Sequence, residues 1–134
     1  MLAGSAIAKY KSVQVTTCSP GELLVMLYNG LFRFLGEAAA ALRMGDRAVA
    51  GERIGRSHDI LAELAAGLNP VHAPELCDNL QALYFFCMTR IVEANLHQDA
   101  ARIEDVVRIL TPLREAWTLA VRGQAAPAAA VATK

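Results

Sequence analysis

The chain has 134 residues, enough for one hydrophobic core and too few for two. Thirteen basic and thirteen acidic residues cancel without forming a dense Lys/Arg run, which argues against the basic face that nucleic-acid binding relies on. Apolar residues make up 54%, yet the longest uninterrupted apolar run is Ala82 to Met88, far short of the roughly 18 residues of a membrane span. The N-terminus also lacks the basic-then-apolar order of a secretory signal, so a cytosolic protein without membrane insertion is expected. Three cysteines, with no pair at CxxC spacing, fit that address as small core fillers.

Residues 1–18 hold an alternating segment from Tyr10 to Thr16 and no helical period. They are expected to form a flexible N-terminal segment. Ser19-Pro20-Gly21-Glu22 then signals a helix start: Ser19 as cap, Pro20 at the first helical position, Glu22 returning a bond to the cap. Leu24, Tyr28, Leu31, Leu35, Ala38 and Leu42 follow on one stripe, with Arg33 and Glu37 opposite. Gly45 suits the residue after a helix, and Asp46 can cap the next one. That second helix is predicted over 47–68, with Ala50, Ile54, Leu61, Leu64 and Leu68 inward and Glu52, Arg56, Asp59 and Glu63 wet. Asn69-Pro70 ends it.

Pro74 and Glu75 open a third helix whose inward stripe is Leu76, Leu80, Leu83, Cys87, Ile91 and Ala94. Asp99 caps a fourth, with Ile103, Val107, Leu110, Trp117 and Val121 inward, and Thr111-Pro112 predicts a kink or short break near 108–111. Short links between four long helices give an all-α, antiparallel up-and-down four-helix bundle over 19–122. Gln124 to Ala130 carry no large side chain to bury, and residues 123–134 read as a disordered Ala-rich tail.

Catalytic and metal-binding patterns are missing. No Glu has a His three residues later, and His58, His72 and His97 are scattered. No phosphate-binding glycine loop is present, and the carboxylates sit on wet faces where nothing raises their pKa. The sequence predicts neither an enzyme nor a cofactor.

What stands out is apolar excess. Tyr84-Phe85-Phe86 spread over about 200° of helix circumference, more than a bundle helix buries. Phe85 is expected to point away from the core near Val92, with Tyr84 and Phe86 on opposite flanks. A continuous band of such residues makes a binding groove.

Thr17-Cys18-Ser19-Pro20-Gly21-Glu22-Leu23-Leu24-Val25-Met26-Leu27-Tyr28-Asn29-Gly30 resembles the opening of the flagellin export chaperones, the FliS family. The resemblance continues through Asp59 to Leu64, Asn79 to Tyr84, Glu93 to Leu96 and Leu113 to Trp117, so it covers Tyr10 to Trp117. Each block is weak alone; their order and spacing together are specific. The chain departs from the family at Phe85, where an acidic residue is common, and at Thr111-Pro112.

The resemblance implies a four-helix bundle that binds the disordered C-terminal segment of flagellin as short helices in hydrophobic grooves. It further implies that the chaperone prevents premature polymerisation and delivers its cargo to a flagellar export gate component. It also implies that the N-terminal segment, with Tyr10, folds over part of the groove until cargo arrives. The candidate partner-binding residues are Ile7 and Tyr10 in that segment, and Ile54, Ile60, Leu64, Tyr84, Phe85, Met88, Val92, Asn95, Val106 and Leu110 on the bundle. Two other readings remain open at this point: a helical homo-oligomer, and a small-molecule-binding regulator built around a closed pocket.

Overall fold

The computed structural model describes residues 20–71 and 73–123. Four helices account for nearly all of them: α1 (Pro20–Met44), α2 (Arg47–Ala66), α3 (Pro74–His97) and α4 (Ala100–Val121). The N-terminal segment with Ile7 and Tyr10, the Ser19 cap and residues 124–134 lie outside the described residues.

Local chemistry sets the helix ends. Gly45 takes φ 73° and its N–H donates to the Leu42 carbonyl, while the Asp46 N–H donates to Ala41. The left-handed residue closes α1 because glycine has no Cβ to clash there. Asp46 at once caps α2 by accepting from the Val49 N–H at 3.2 Å. The second helix stops at Ala66, two residues before the predicted Leu68, because Gly67 is a poor helix former and the Asn69 side chain takes the Val71 N–H into a turn. The Cys77 thiol donates to the Asn69 carbonyl at 3.1 Å and ties this turn to α3. Between α3 and α4 a non-glycine residue, Gln98, adopts φ 52°; its side-chain amide donates to the Asn95 carbonyl at 2.6 Å and helps hold that conformation. Asp99 then caps α4 through the Ala101 N–H.

Each helix packs against its chain neighbours, and α1 closes the ring against α4. The bundle is therefore up-and-down, as short links require. Tyr28, Leu31, Leu35, Ala38 and Leu42 of α1 are buried together with Leu61, Leu80, Cys87, Ile91, Ala94, Ile103, Leu110 and Trp117. Some inward assignments shift by one position: Val106 is fully buried where Val107 is only partly so, and Val121, near the fraying end of α4, is exposed. By length and composition α1 could cross a membrane, with a mean hydropathy of 1.2 over Gly21–Met44. Its apolar stripe is instead spent on this core, and Arg33 and Glu37 lie on its outer side.

No break occurs at Pro112: α4 is one continuous helix. Proline removes the donor that the Arg108 carbonyl would have used, and Arg108 is exposed, so water can satisfy it. The Thr111 hydroxyl donates to Val107 at 2.6 Å rather than capping a new turn. Replacing Pro112 by alanine restores the backbone bond and should raise stability by roughly 1 to 3 kcal/mol. Urea denaturation checks this, and an unchanged midpoint would mean that the surrounding structure already relieves the proline.

Candidate functional site

Among the described residues no three His, Cys, Asp or Glu side chains group as a metal site. Cys77 and Cys87 are buried free thiols, and burial pushes Cys87 up to about 11, where it is unreactive at neutral pH. The features that remain are surface clefts and bare apolar side chains.

One cleft, of about 470 Å³, is lined by His58 of α2 and by Phe85, Met88, Thr89, Val92 and Glu93 of α3. Phe85 is 50% and Val92 44% exposed. Leu96, one turn beyond Val92 on the same face, is 75% exposed. The facing side of α2 carries little bulk: a Cβ on Gly55 would meet nothing within 4 Å, and one on Gly51 only the Asn95 side chain at 3.9 Å. A wall of apolar α3 side chains thus stands beside a low α2 floor.

A second cleft, of about 500 Å³, runs between α1 and α4 over Leu35, Gly36, Ala39, Ile103 and Val107, with the Arg43–Glu104 ion pair across it. The sequence reading missed it; an exposed glycine at position 36 within an otherwise crowded helix was its one available signal.

The outer aromatics of α1 are treated differently from those of α3. The guanidinium of Arg114 lies 4.4 Å from the Phe32 ring centre, and those of Arg33 and Arg56 lie 4.9 and 5.5 Å from Phe34. Stacked guanidiniums shield an aromatic face from water and from other proteins. Phe85 and Phe86 are half exposed and have no such cover among the described residues. The apolar surface of this bundle is concentrated on α3.

The structure separates the predicted site residues into two groups. Phe85, Val92 and, partly, Asn95 are at the surface beside the α2–α3 cleft. Ile54, Ile60, Leu64, Tyr84, Val106 and Leu110 are buried, and Met88 is buried while still lining the cleft. Ile54, Leu64 and Leu110 belong to the inward stripes themselves, whereas Ile60, Tyr84, Met88 and Val106 lie on the flanks, which four helices meeting around one axis cover as well. Tyr84 is the clearest case. Its hydroxyl lies 2.7 Å from that of Tyr28, and both side chains are fully buried. Burial pushes Tyr28 up to about 12, partly offset by its bond to Tyr84, and raises Tyr84 further. The Trp117 ring stands edge-on to Tyr28 at 6.4 Å; its indole N–H comes near enough to lower the Tyr28 pKa slightly, without a regular hydrogen bond.

A profile of the family described as "Flagellar protein FliS" matches residues 3–124. The flagellar secretion chaperone FliS of Bacillus subtilis is 33% identical over 115 residues, 86% of this chain and 85% of the relative. That of Salmonella typhimurium is 34% identical over 122 residues, 87% of this chain and 90% of the relative. The Vibrio cholerae protein of the same description is 31% identical over 116 residues, 84% and 85% of the two chains. The chain is an up-and-down helical bundle with apolar side chains bare on α3, and it belongs to the FliS family of flagellar secretion chaperones. The family is one of chaperones, not an enzyme class.

The tyrosine pair gives two expected outcomes. Tyr28→Phe or Tyr84→Phe alone strands a buried hydroxyl and should cost about 1 to 3 kcal/mol, whereas the double substitution should recover much of that loss. A double-mutant cycle in urea measures it; additive losses would show that the hydroxyls do not depend on one another. Unfolded tyrosine ionises near 10, and folded Tyr28 keeps its proton to about 12. The stability contributed by the neutral pair is therefore complete below pH 10 and is lost as pH rises through the folded value. Melting temperature should fall in that window for the native protein and less for the doubly substituted one.

Proposed function

We propose that this chain is a cytosolic export chaperone that holds the disordered C-terminal segment of flagellin in hydrophobic grooves. By doing so it prevents premature polymerisation and delivers the subunit to the flagellar export gate. The observation that carries this reading is the contrast between the covered aromatics of α1 and the bare Phe85 and Val92 over the α2–α3 cleft, in a chain of the FliS family. Docking an amphipathic segment needs apolar anchors in an open cleft and no catalytic group. Ordering a disordered partner uses part of the interaction energy, which keeps the complex releasable.

Phe85 and Val92 act as the direct anchors, with Asn95 at the margin. Met88 forms the cleft floor, and the buried Ile54, Ile60, Leu64, Tyr84, Val106 and Leu110 hold the helix spacing that gives the grooves their width. The N-terminal segment, through Ile7 and Tyr10, serves as a lid that shields the groove in the free protein and yields to cargo. A regulator that binds a small molecule would enclose it; both clefts here are open troughs on the bundle surface, which favours a chain as occupant.

Isothermal titration of the full chain with the C-terminal segment of flagellin from the same genome tests the reading. Phe85→Ala and Val92→Ala should each weaken binding about tenfold or more, since a true anchor is worth roughly 2 kcal/mol. Absence of binding by the native chain, or indifference to both substitutions, counts against it. Deleting residues 1–10 should leave cargo affinity level or raise it while the free protein aggregates more readily, because energy spent closing a lid is subtracted from binding. Weaker binding with unaltered solubility would instead make the segment part of the binding surface.

A further inference from the structure

The four seams of the bundle are electrostatically unequal. Arg53–Glu37 joins α1 to α2, Arg43–Glu104 joins α1 to α4, and Arg90–Asp105 with Arg102–Glu93 joins α3 to α4. Among the described residues no ion pair joins α2 to α3, the seam that carries the cleft with Phe85 and Val92. Glu93, at one end of that cleft, is matched by Arg90 and Arg102. Asp59 follows the cleft residue His58, and Asp78 lies two turns before Phe85 on the same face of α3. Neither aspartate is in an ion pair among the described residues, and Asp59 Oδ2 is buried with no hydrogen-bond partner.

The neighbouring cations are committed elsewhere. Arg53 and Arg56 of α2 both bind Glu52, and Arg53 also reaches Glu37. More broadly, all thirteen acidic residues lie between Pro20 and Gly123, whereas Lys9, Lys11 and Lys134 fall outside. The bundle is thus three charges net negative, and two carboxylates in no ion pair among the described residues, Asp59 and Asp78, stand one residue and two helical turns from residues that line its barest apolar cleft.

We propose that the α2–α3 cleft selects a partner helix with a basic edge, placing Lys or Arg against Asp59 and Asp78 while its apolar face covers Phe85, Met88 and Val92. This rests on the reading of that cleft as the cargo site. A helix lying in the cleft takes water from Asp78 and from what stays exposed of Asp59, whose Oδ2 is already without a partner, and a carboxylate that loses water without gaining a donor opposes docking. A basic side chain supplies a charge-assisted bond. An acidic edge meets like charge, so the same residues reject wrong partners. The contact of Gly51 with Asn95 sets the antiparallel register, which puts Asp59 level with about residue 87 of α3. Asp78 is then about 14 Å away along the axis at 1.5 Å per residue, so the basic residues on the partner stand two to three turns apart.

The test uses the full chain and two synthetic amphipathic peptides of equal length and helicity, identical on the apolar face, one with Lys and one with Glu along the edge. At low salt the Lys-edged peptide should bind at least about tenfold tighter, and the difference should shrink as salt rises. The order should reverse for the Asp59→Lys/Asp78→Lys variant, whose helicity is checked by circular dichroism. Equal affinities, or no binding of either peptide, overturn the proposal. A second arm titrates the flagellin C-terminal segment against the isosteric Asp59→Asn/Asp78→Asn variant. A loss of about fivefold or more with a flatter salt dependence supports the basic edge. Unchanged binding in that variant, with a loss in Phe85→Ala, keeps the cleft as cargo site and sinks the charge selection. Preference for the Lys-edged peptide without any flagellin binding supports the selection and sinks the cargo assignment. Tighter flagellin binding by the Asn variant would mean that the aspartates hold the chain's own Lys9 and Lys11, and overturns it too.

Discussion

Everything in this bundle is arranged around two hydroxyls that meet across its axis. Tyr28 of α1 and Tyr84 of α3 are diagonal neighbours, fully buried, and one hydroxyl donates to the other in place of the bond that water would otherwise supply. A buried hydroxyl without a partner is heavily penalised, so the pair fixes how far α1 may slide or turn against α3. With Tyr84 pinned inward, Phe85 and Phe86, the next two positions, are carried onto opposite outer flanks. The exposed apolar face is therefore a consequence of the core, because a helix cannot bury three consecutive aromatics against one axis.

Surface chemistry then decides which apolar groups stay accessible. On α1 the arginines lie over Phe32 and Phe34; on three seams the remaining charges pair among themselves. The α2–α3 seam has neither covering guanidinium nor ion pair among the described residues. A partner arriving there meets no ion pair among the described residues that must break before it can dock. Binding energy is then available for ordering the partner.

The helices were legible in the sequence because their signals are local. Asp46, Asp99, Gly45 and Pro74 mark ends through bonds that span a few residues, and the stripes of α1 and α3 follow a simple period. The site was legible only in part. Phe85 and Val92 could be placed outside by counting around one helix, but the burial of Tyr84, Ile60 and Val106 depends on how close the neighbours come, which no single helix encodes. The Tyr28–Tyr84 bond, the stacking of Arg114 on Phe32 and the unmatched Asp59 join positions far apart in the chain, and left no local signature. The uninterrupted passage of α4 through Pro112 has the same origin: tertiary packing holds a helix that the residue alone would break.

A seam joined without ions also has a temperature of its own. Contacts between apolar groups weaken on cooling, since the free energy gained by releasing water from their surfaces shrinks as temperature falls. Three seams of the bundle add paired charges to their apolar contact, whereas α2 and α3 have no ion pair between them among the described residues. Cooling therefore removes a larger share of what joins α2 to α3 than of what joins the ion-paired seams, and the trough beside Phe85 lies along that seam.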